Sequence, residues 1–358
     1  MSLIEETVRS IRPPDEEVSR DTQDRLDRLT KPVGSLGLVE ALARQVAGIT
    51  GNPRPVFHRK VVFCFAADHG VTAEGVSAYP REVTAQMVLN FLSGGAAINV
   101  LARLAGARVV VADLGVASPL PSHPDLISAP LGRGTVNITR GPAMSLETAR
   151  ASLETGIRIA TDEIEAGADL IATGEMGIGN TTAASAIASV FTGIDPLEVT
   201  GYGTGIDEGG RVRKAEAVRR AIKLNRPDPE NALDVLAKVG GFEIGGLAGV
   251  MLAGASRRVP VIVDGFISGA AALIACGLAP QVREHLIAAH RSAERGHAAI
   301  LNHMSLAPLL SLGLRLGEGT GAVLAMHLVD ASCQILAEMA TFESAGVSGK
   351  SVPAPEKS

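Results

Sequence analysis

One carboxylate in this sequence stands in a frame of glycines: Gly313-Leu314-Arg315-Leu316-Gly317-Glu318-Gly319-Thr320-Gly321. Glycines leave room for a bulky ligand to reach Glu318. Desolvation by Leu314 and Leu316 would raise its pKa toward that of a useful base. A helix starting just beyond would oppose that shift. An ordinary N-cap turn has the same pattern, and this segment alone does not choose between base and cap. Asp68, Asp113, Glu175 and Asp264 share its surroundings: each closes an apolar run and has a glycine within two residues. If those runs are parallel strands, their ends lie on one edge and the carboxylates converge on one crevice. Taken singly, each is an ordinary turn or cap residue.

A second motif is Thr173-Gly174-Glu175-Met176-Gly177-Ile178-Gly179-Asn180-Thr181-Thr182, which runs into an Ala-rich stretch. Glycines let backbone N–H groups approach an anion, and Asn180, Thr181 or Thr182 can cap the following helix, whose N-terminus favours phosphate. A tight βα turn without a ligand uses the same residues. Neither this loop nor Gly201-Tyr202-Gly203-Thr204-Gly205 has the glycine spacing of a dinucleotide fingerprint. Gly349-Lys350-Ser351 mimics the end of a phosphate-binding loop but lies in a polar tail with no strand before it. After Gly203 the chain brings Arg211, Arg213 and Lys214, cations that could hold a phosphate or carboxylate. A solvated helix face paired with Asp207 and Glu208 accounts better for Arg211 and Arg213. His69 beside Asp68, and His290, Glu294 and His297 on one helical face, raise the question of a metal. The spacing is not that of a metalloprotease helix, and hydrogen-bonded structural or substrate-contacting histidines fit better.

The elements that must position these residues follow from periodicity. Residues 22–29 and 36–49 carry apolar side chains at helical spacing, separated by the Pro/Gly loop 30–37. From residue 60, short β-branched runs alternate with Ala- and Leu-rich helical stretches, as in βαβ units. The expected strands are 61–67, 107–114, 170–173, 259–263 and 309–316, and a helix is expected over 320–339. Residues 344–358 read as a frayed polar tail.

The chain has 358 residues, 46% of them hydrophobic, with 40 glycines and no tryptophan, which suits helices packed closely on a parallel sheet. A net charge of −5 argues against non-specific nucleic-acid binding. Cys64, Cys276 and Cys333 lie far apart in apolar runs and read as buried thiols. The N-terminus lacks the apolar core of a signal peptide, and no uninterrupted apolar stretch reads as long enough to span a bilayer. A cytoplasmic location follows as the expectation.

Together the motifs resemble those of the nicotinate-nucleotide–dimethylbenzimidazole phosphoribosyltransferase family. The resemblance runs from Leu26-Asp27-Arg28-Leu29-Thr30-Lys31-Pro32-Val33-Gly34-Ser35-Leu36-Gly37 through Asp68-His69-Gly70-Val71, Val83-Thr84-Ala85-Gln86-Met87, the two glycine loops, Phe242-Glu243-Ile244-Gly245-Gly246, Val263-Asp264-Gly265-Phe266 and the 290–297 segment to Glu318. It implies an α/β fold: a Rossmann-like parallel sheet with flanking helices over 60–321, plus a small helical lobe built from both chain ends, 1–59 with about 322–358. It implies a homodimer acting on small molecules, with no cofactor and no metal. The catalytic base matches Glu318, a second active-site glutamate Glu175, and the active-site lysine Lys214. Tyr79, Gln86, Met87 and Leu316 fall in the benzimidazole pocket, Gly177, Gly179, Asn180 and Thr181 lie in the loop expected to hold the donor phosphate, and Gly203 and Asp264 are further substrate-binding residues.

The implied reaction moves phosphoribosyl from nicotinate mononucleotide to 5,6-dimethylbenzimidazole. Its pyridinium leaving group needs no general acid, and the transition state resembles an oxocarbenium ion. Glu175 would stabilise that charge, and Glu318 would take the azole proton as the other nitrogen attacks, inverting C1′. Diphosphate-dependent phosphoribosyltransferases carry paired acids after an apolar strand, whereas Val263-Asp264-Gly265 has one. Two other readings stay open: a metal-dependent hydrolase of a phosphorylated small molecule, and a non-catalytic protein that binds an azole or nucleotide.

Overall fold

A computed structural model describes residues 1–348. Gly349-Lys350-Ser351 and the rest of the tail lie outside the described residues. Residues 344–348, expected to fray, include a turn in which Ser344 and Thr341 exchange hydrogen bonds.

The chain divides into two units. The first, Met1–Pro13 with Phe57–His327, holds one parallel sheet. Its strands are β1 (Lys60–Ala67), β2 (Ala107–Gly115), β3 (Leu126–Ser128), β4 (Leu170–Met176), β5 (Val261–Val263) and β6 (Leu286–Ala288). They lie in the order β3-β2-β1-β4-β5-β6, all parallel. This is the doubly wound Rossmann order, whose reversal between β1 and β4 opens a crevice at the carboxyl ends of the strands. β1, the sequence Lys-Val-Val-Phe-Cys-Phe-Ala-Ala, is buried at every residue but the first, because helices cover both faces. Helix Leu146–Glu165 packs on helix Phe242–Ser256, and both are Ala- and Gly-rich on the contact, so their backbones approach closely. The second unit, Pro14–Val56 and the chain from Leu328 onward, has its own small core of Leu26, Leu29, Ala43 and Leu336. Helix Leu3–Ser10 packs on the large unit, so residues 1–13 sit there and not with the lobe expected over 1–59.

Several expectations need correction. Residues 309–316 form no strand. Leu309 and Leu310 donate to the carbonyls of Ala288 and Ala289 at 3.0 Å, and His290–Leu310 makes one isolated bridge. Pro308 has no N–H to extend that ladder, and Gly313 at φ +70 turns the chain away. β3 and β6 escaped the sequence because Leu-Ile-Ser and Leu-Ile-Ala carry one β-branched residue each, whereas the equally short β5 is Val-Ile-Val. Two helical stretches, Val83–Ala105 and Thr320–Glu338, are apolar and long enough by composition to cross a membrane. Polar Gln86, Asn90 and Asn99 disguised the first, which is two helices broken at Ser93-Gly94-Gly95-Ala96. Of the second's apolar window, 56% is buried inside the protein, as in a core helix. Cys64 and Cys333 are buried, but Cys276 is only partly so.

Candidate functional site

A cavity of about 520 Å³ opens at the carboxyl edge of the sheet beside β4. Glu175, Met176, Gly177, Ile178, Asn180 and Thr181 line one side, Tyr79, Val83 and Met87 another, and Arg315, Leu316, Gly317 and Glu318 a third. Gly203 and Thr204, the corner Gly265-Phe266-Ile267, and His290, Ser292 and Glu294 complete the wall.

Three helices begin at this edge. Gly179 and Gly265 precede helices Asn180–Thr192 and Phe266–Leu278 and supply no side-chain cap, so those two N-termini favour an anion. Asn180 and Thr181 are therefore not caps. Asn180 donates its amide to Glu175, and Thr181 accepts from the Lys214 ammonium at 2.6 Å. The Gly177–Gly179 turn is pinned from outside by Thr84, whose hydroxyl accepts from Ile178 N–H at 3.1 Å.

The third helix, Thr320–Glu338, is capped from another element. Asp264, at the end of β5, accepts from Ala322 N–H at 2.9 Å and Gly319 N–H at 3.3 Å. Glu318 is thus relieved of the capping role. Its backbone is left-handed, φ +62, between Gly317 at +82 and Gly319 at +94. A non-glycine residue costs free energy in that region, and a β-carbon at Gly174 or Gly317 would collide with the Glu318 carbonyl or the Glu175 carboxylate. The turn holds the Glu318 side chain at the cavity wall, 4% exposed, with one long contact from Ile98 N–H at 3.4 Å. Burial raises its pKa above the ordinary carboxylate range, and the Ile98 N–H, not its own helix, opposes the shift.

The neighbouring ionisable groups are strongly perturbed. Burial, with help from the carboxylates of Glu243 and Asp264, pushes Glu175 up to about 8, against the Asn180 amide. Burial raises Asp264 to about 7, although its N–H partners pull the other way. Lys214 is fully buried and lowered to about 8, with Glu294 opposing the shift. Such a set of displaced pKa values in and behind the wall of one cavity suits acid–base and charge-stabilising chemistry.

Of the five acids expected to converge, Glu175, Asp264 and Glu318 do. Asp113 instead closes its own turn, accepting from Gly115 and Val116 N–H at 2.9 and 2.7 Å. Asp68 accepts from Ala117 N–H at 2.8 Å. Tyr79, Met87, Gly177, Asn180, Thr181, Gly203 and Leu316 line the cavity, while Lys214 stands behind Thr181 and Asp264 beneath Glu318. Gln86 does not line it: it is exposed on helix Val83–Leu92, one position from Met87 and so on another face. Gly179 shapes the turn without lining the cavity. Arg211 is buried and tied to Glu208 and to the Leu197 carbonyl, not spread on a solvated face.

His290, Glu294 and His297 share no helical face, because the helix begins only at Arg295. His290 and Glu294 reach the cavity, whereas His297 is buried with Nδ1 accepting from Ser292 N–H at 2.9 Å. His69 pairs with Glu243 at 2.6 Å in the interior. Sequence reasoning named Glu294 only as a possible metal ligand and missed Ser292, Phe266, Thr204 and Arg315 as wall residues. Each stands inside a motif already read for a neighbour, so position along the motif, not residue type, was the missing signal.

Comparison with known proteins identifies the family and the fold. The phosphoribosyltransferase family matches residues 11–347. A relative from Roseiflexus sp. (strain RS-1), named nicotinate-nucleotide–dimethylbenzimidazole phosphoribosyltransferase, is 61% identical over 350 residues, covering 98% of this chain and 99% of its own. One of the same name from Geobacter sulfurreducens is 54% identical over 347 residues, covering 97% and 99%. A crystal structure of such an enzyme from Thermus thermophilus superposes with a TM-score of 0.89 at 48% identity, covering 94% of this chain and all of that one.

Proposed function

The chain belongs to the nicotinate-nucleotide–dimethylbenzimidazole phosphoribosyltransferase family, and we propose the assignment of its residues to the steps of phosphoribosyl transfer from nicotinate mononucleotide to 5,6-dimethylbenzimidazole. The donor phosphate lies at the uncapped N-terminus over residues 177–181, with Lys214 behind Thr181 as the countercharge. The acceptor lies between Tyr79, Met87 and Leu316, with its N–H on Glu318. Glu318 takes that proton while the other nitrogen attacks C1′ from the face opposite nicotinate, so the anomer inverts. Nicotinate leaves from a pyridinium, so no general acid is required. Glu175 faces the developing positive charge. A cation beside it draws its pKa down, so the carboxylate forms where it is needed.

The observation that carries this reading is the division of labour between two acids. Asp264 caps the helix, and Glu318, buried and raised in pKa, is left to act as base. No step in the scheme calls on a metal. The family resemblance supports a cytoplasmic homodimer working on small molecules. Incubation with nicotinate mononucleotide, with and without 5,6-dimethylbenzimidazole and chelator, tests it by chromatography. Nicotinate released only with acceptor, together with a nucleoside phosphate of inverted anomer and unchanged by chelator, is the expected result. Release without acceptor would point to the hydrolase instead.

A further inference from the structure

The loop 201–205 joins the two ends of the cavity. The Gly203 peptide is held on both sides: its N–H donates to Glu294 at 2.9 Å and its carbonyl accepts from Arg315 at 2.7 Å. At φ +51, a β-carbon on Gly203 would lie 2.8 Å from the Lys214 ammonium and 2.9 Å from the Thr181 hydroxyl. The Gly203 peptide therefore lies directly against the Thr181 hydroxyl and the Lys214 ammonium.

One residue on, Thr204 reaches across to the opposite wall. Its hydroxyl oxygen accepts from Ala78 N–H at 2.9 Å and shares a hydrogen bond with Ser77 at 3.0 Å. Ser77 in turn accepts from Tyr79 N–H at 3.2 Å. The segment 77–80 has no regular secondary structure, and Tyr79 is 56% exposed. Its place at the acceptor end is set by these side-chain bonds.

We infer that Thr204 is a positioning residue that couples the two subsites, so that filling the phosphate end orders the Ser77–Ala78–Tyr79 wall and tightens binding of the aromatic acceptor. The inference rests on the functional reading above. Ordering already supplied by one ligand need not be supplied again by the next, and the coupling is reciprocal.

The test is calorimetric titration of the full-length protein with 5,6-dimethylbenzimidazole, with and without saturating ribose 5-phosphate. That probe fills the phosphate end but carries no leaving group. In the wild type the acceptor Kd falls about fivefold or more when the probe is present. In Thr204→Val that ratio drops to about one. Thr204→Ser, which keeps the hydroxyl, restores the ratio. A ratio of one in the wild type, or an undiminished ratio in Thr204→Val, overturns the proposal. Failure of the wild type to bind 5,6-dimethylbenzimidazole at all overturns the functional reading, and this inference with it.

Discussion

At the end of β2, Asp113 folds its carboxylate back onto the N–H groups of Gly115 and Val116. At residues 317–319 the local pattern is similar, an acid beside glycine after an apolar run, yet Glu318 makes no such turn. The helix that starts beside it is capped instead by Asp264, which arrives from β5 and accepts from the N–H groups of Gly319 and Ala322. The difference teaches that an acid at a sheet edge is freed for chemistry when another acid satisfies the backbone around it. Without that partner it becomes a cap.

The strongest way to break the comparison is Glu318→Gln. If Glu318 is the base, kcat falls by about 10²–10⁴-fold with little change in KM for nicotinate mononucleotide. A near-normal rate removes it from that role. Gly317→Ala comes next. Its added methyl meets the Glu175 carboxylate and disfavours φ +82, so both carboxylates shift. A misplacement of about 1 Å costs on the order of 10²-fold in kcat.

The comparison is sharpened by the paired variants Asp264→Ala and Asp113→Ala. Each loses hydrogen bonds to backbone N–H groups, a cost of about 1 kcal/mol by urea denaturation. Only Asp264→Ala should also lower kcat, because Glu318 is then drawn toward the uncapped helix. Equal activity in the two would mean that Asp264 does not free Glu318.

The last effect is on pH-dependent stability, with none on the comparison of caps and bases itself. Glu175 has a folded pKa of about 8 against an ordinary value of 4.5. Raised above its unfolded value, it favours folding most below that value, and the contribution is lost as pH rises through about 8. Glu175→Gln does not titrate, so its Tm should gain on the wild type between pH 5 and pH 8. A difference in Tm that is flat across that window would mean that Glu175 is not desolvated in the free enzyme.

Much of this was legible in the sequence. The longer strands β1, β2 and β4 announce themselves because a strand covered on both faces must be apolar throughout, and the glycine loops mark where it ends. Family resemblance drew attention to Glu175, Lys214 and Glu318, and the fold brings Glu175 and Glu318 into one cavity with Lys214 behind its wall. Gln86 and the 309–316 segment misled for local reasons. Adjacent helical positions face different ways, and a β-branched or leucine-rich run needs a partner strand in register before it is a strand.

The sequence by itself determined the α/β alternation, the glycine-framed acids and the edge of the sheet on which they stand, because periodicity and turn chemistry are local properties. Tertiary structure alone decided which of those acids would be caps and which would be free. Asp264 reaches helix Thr320–Glu338 across 55 and 58 residues of chain to Gly319 and Ala322, and Thr204 reaches Ala78 across 126. A hydrogen bond is satisfied by whichever partner the fold delivers, and no local pattern records who that partner is.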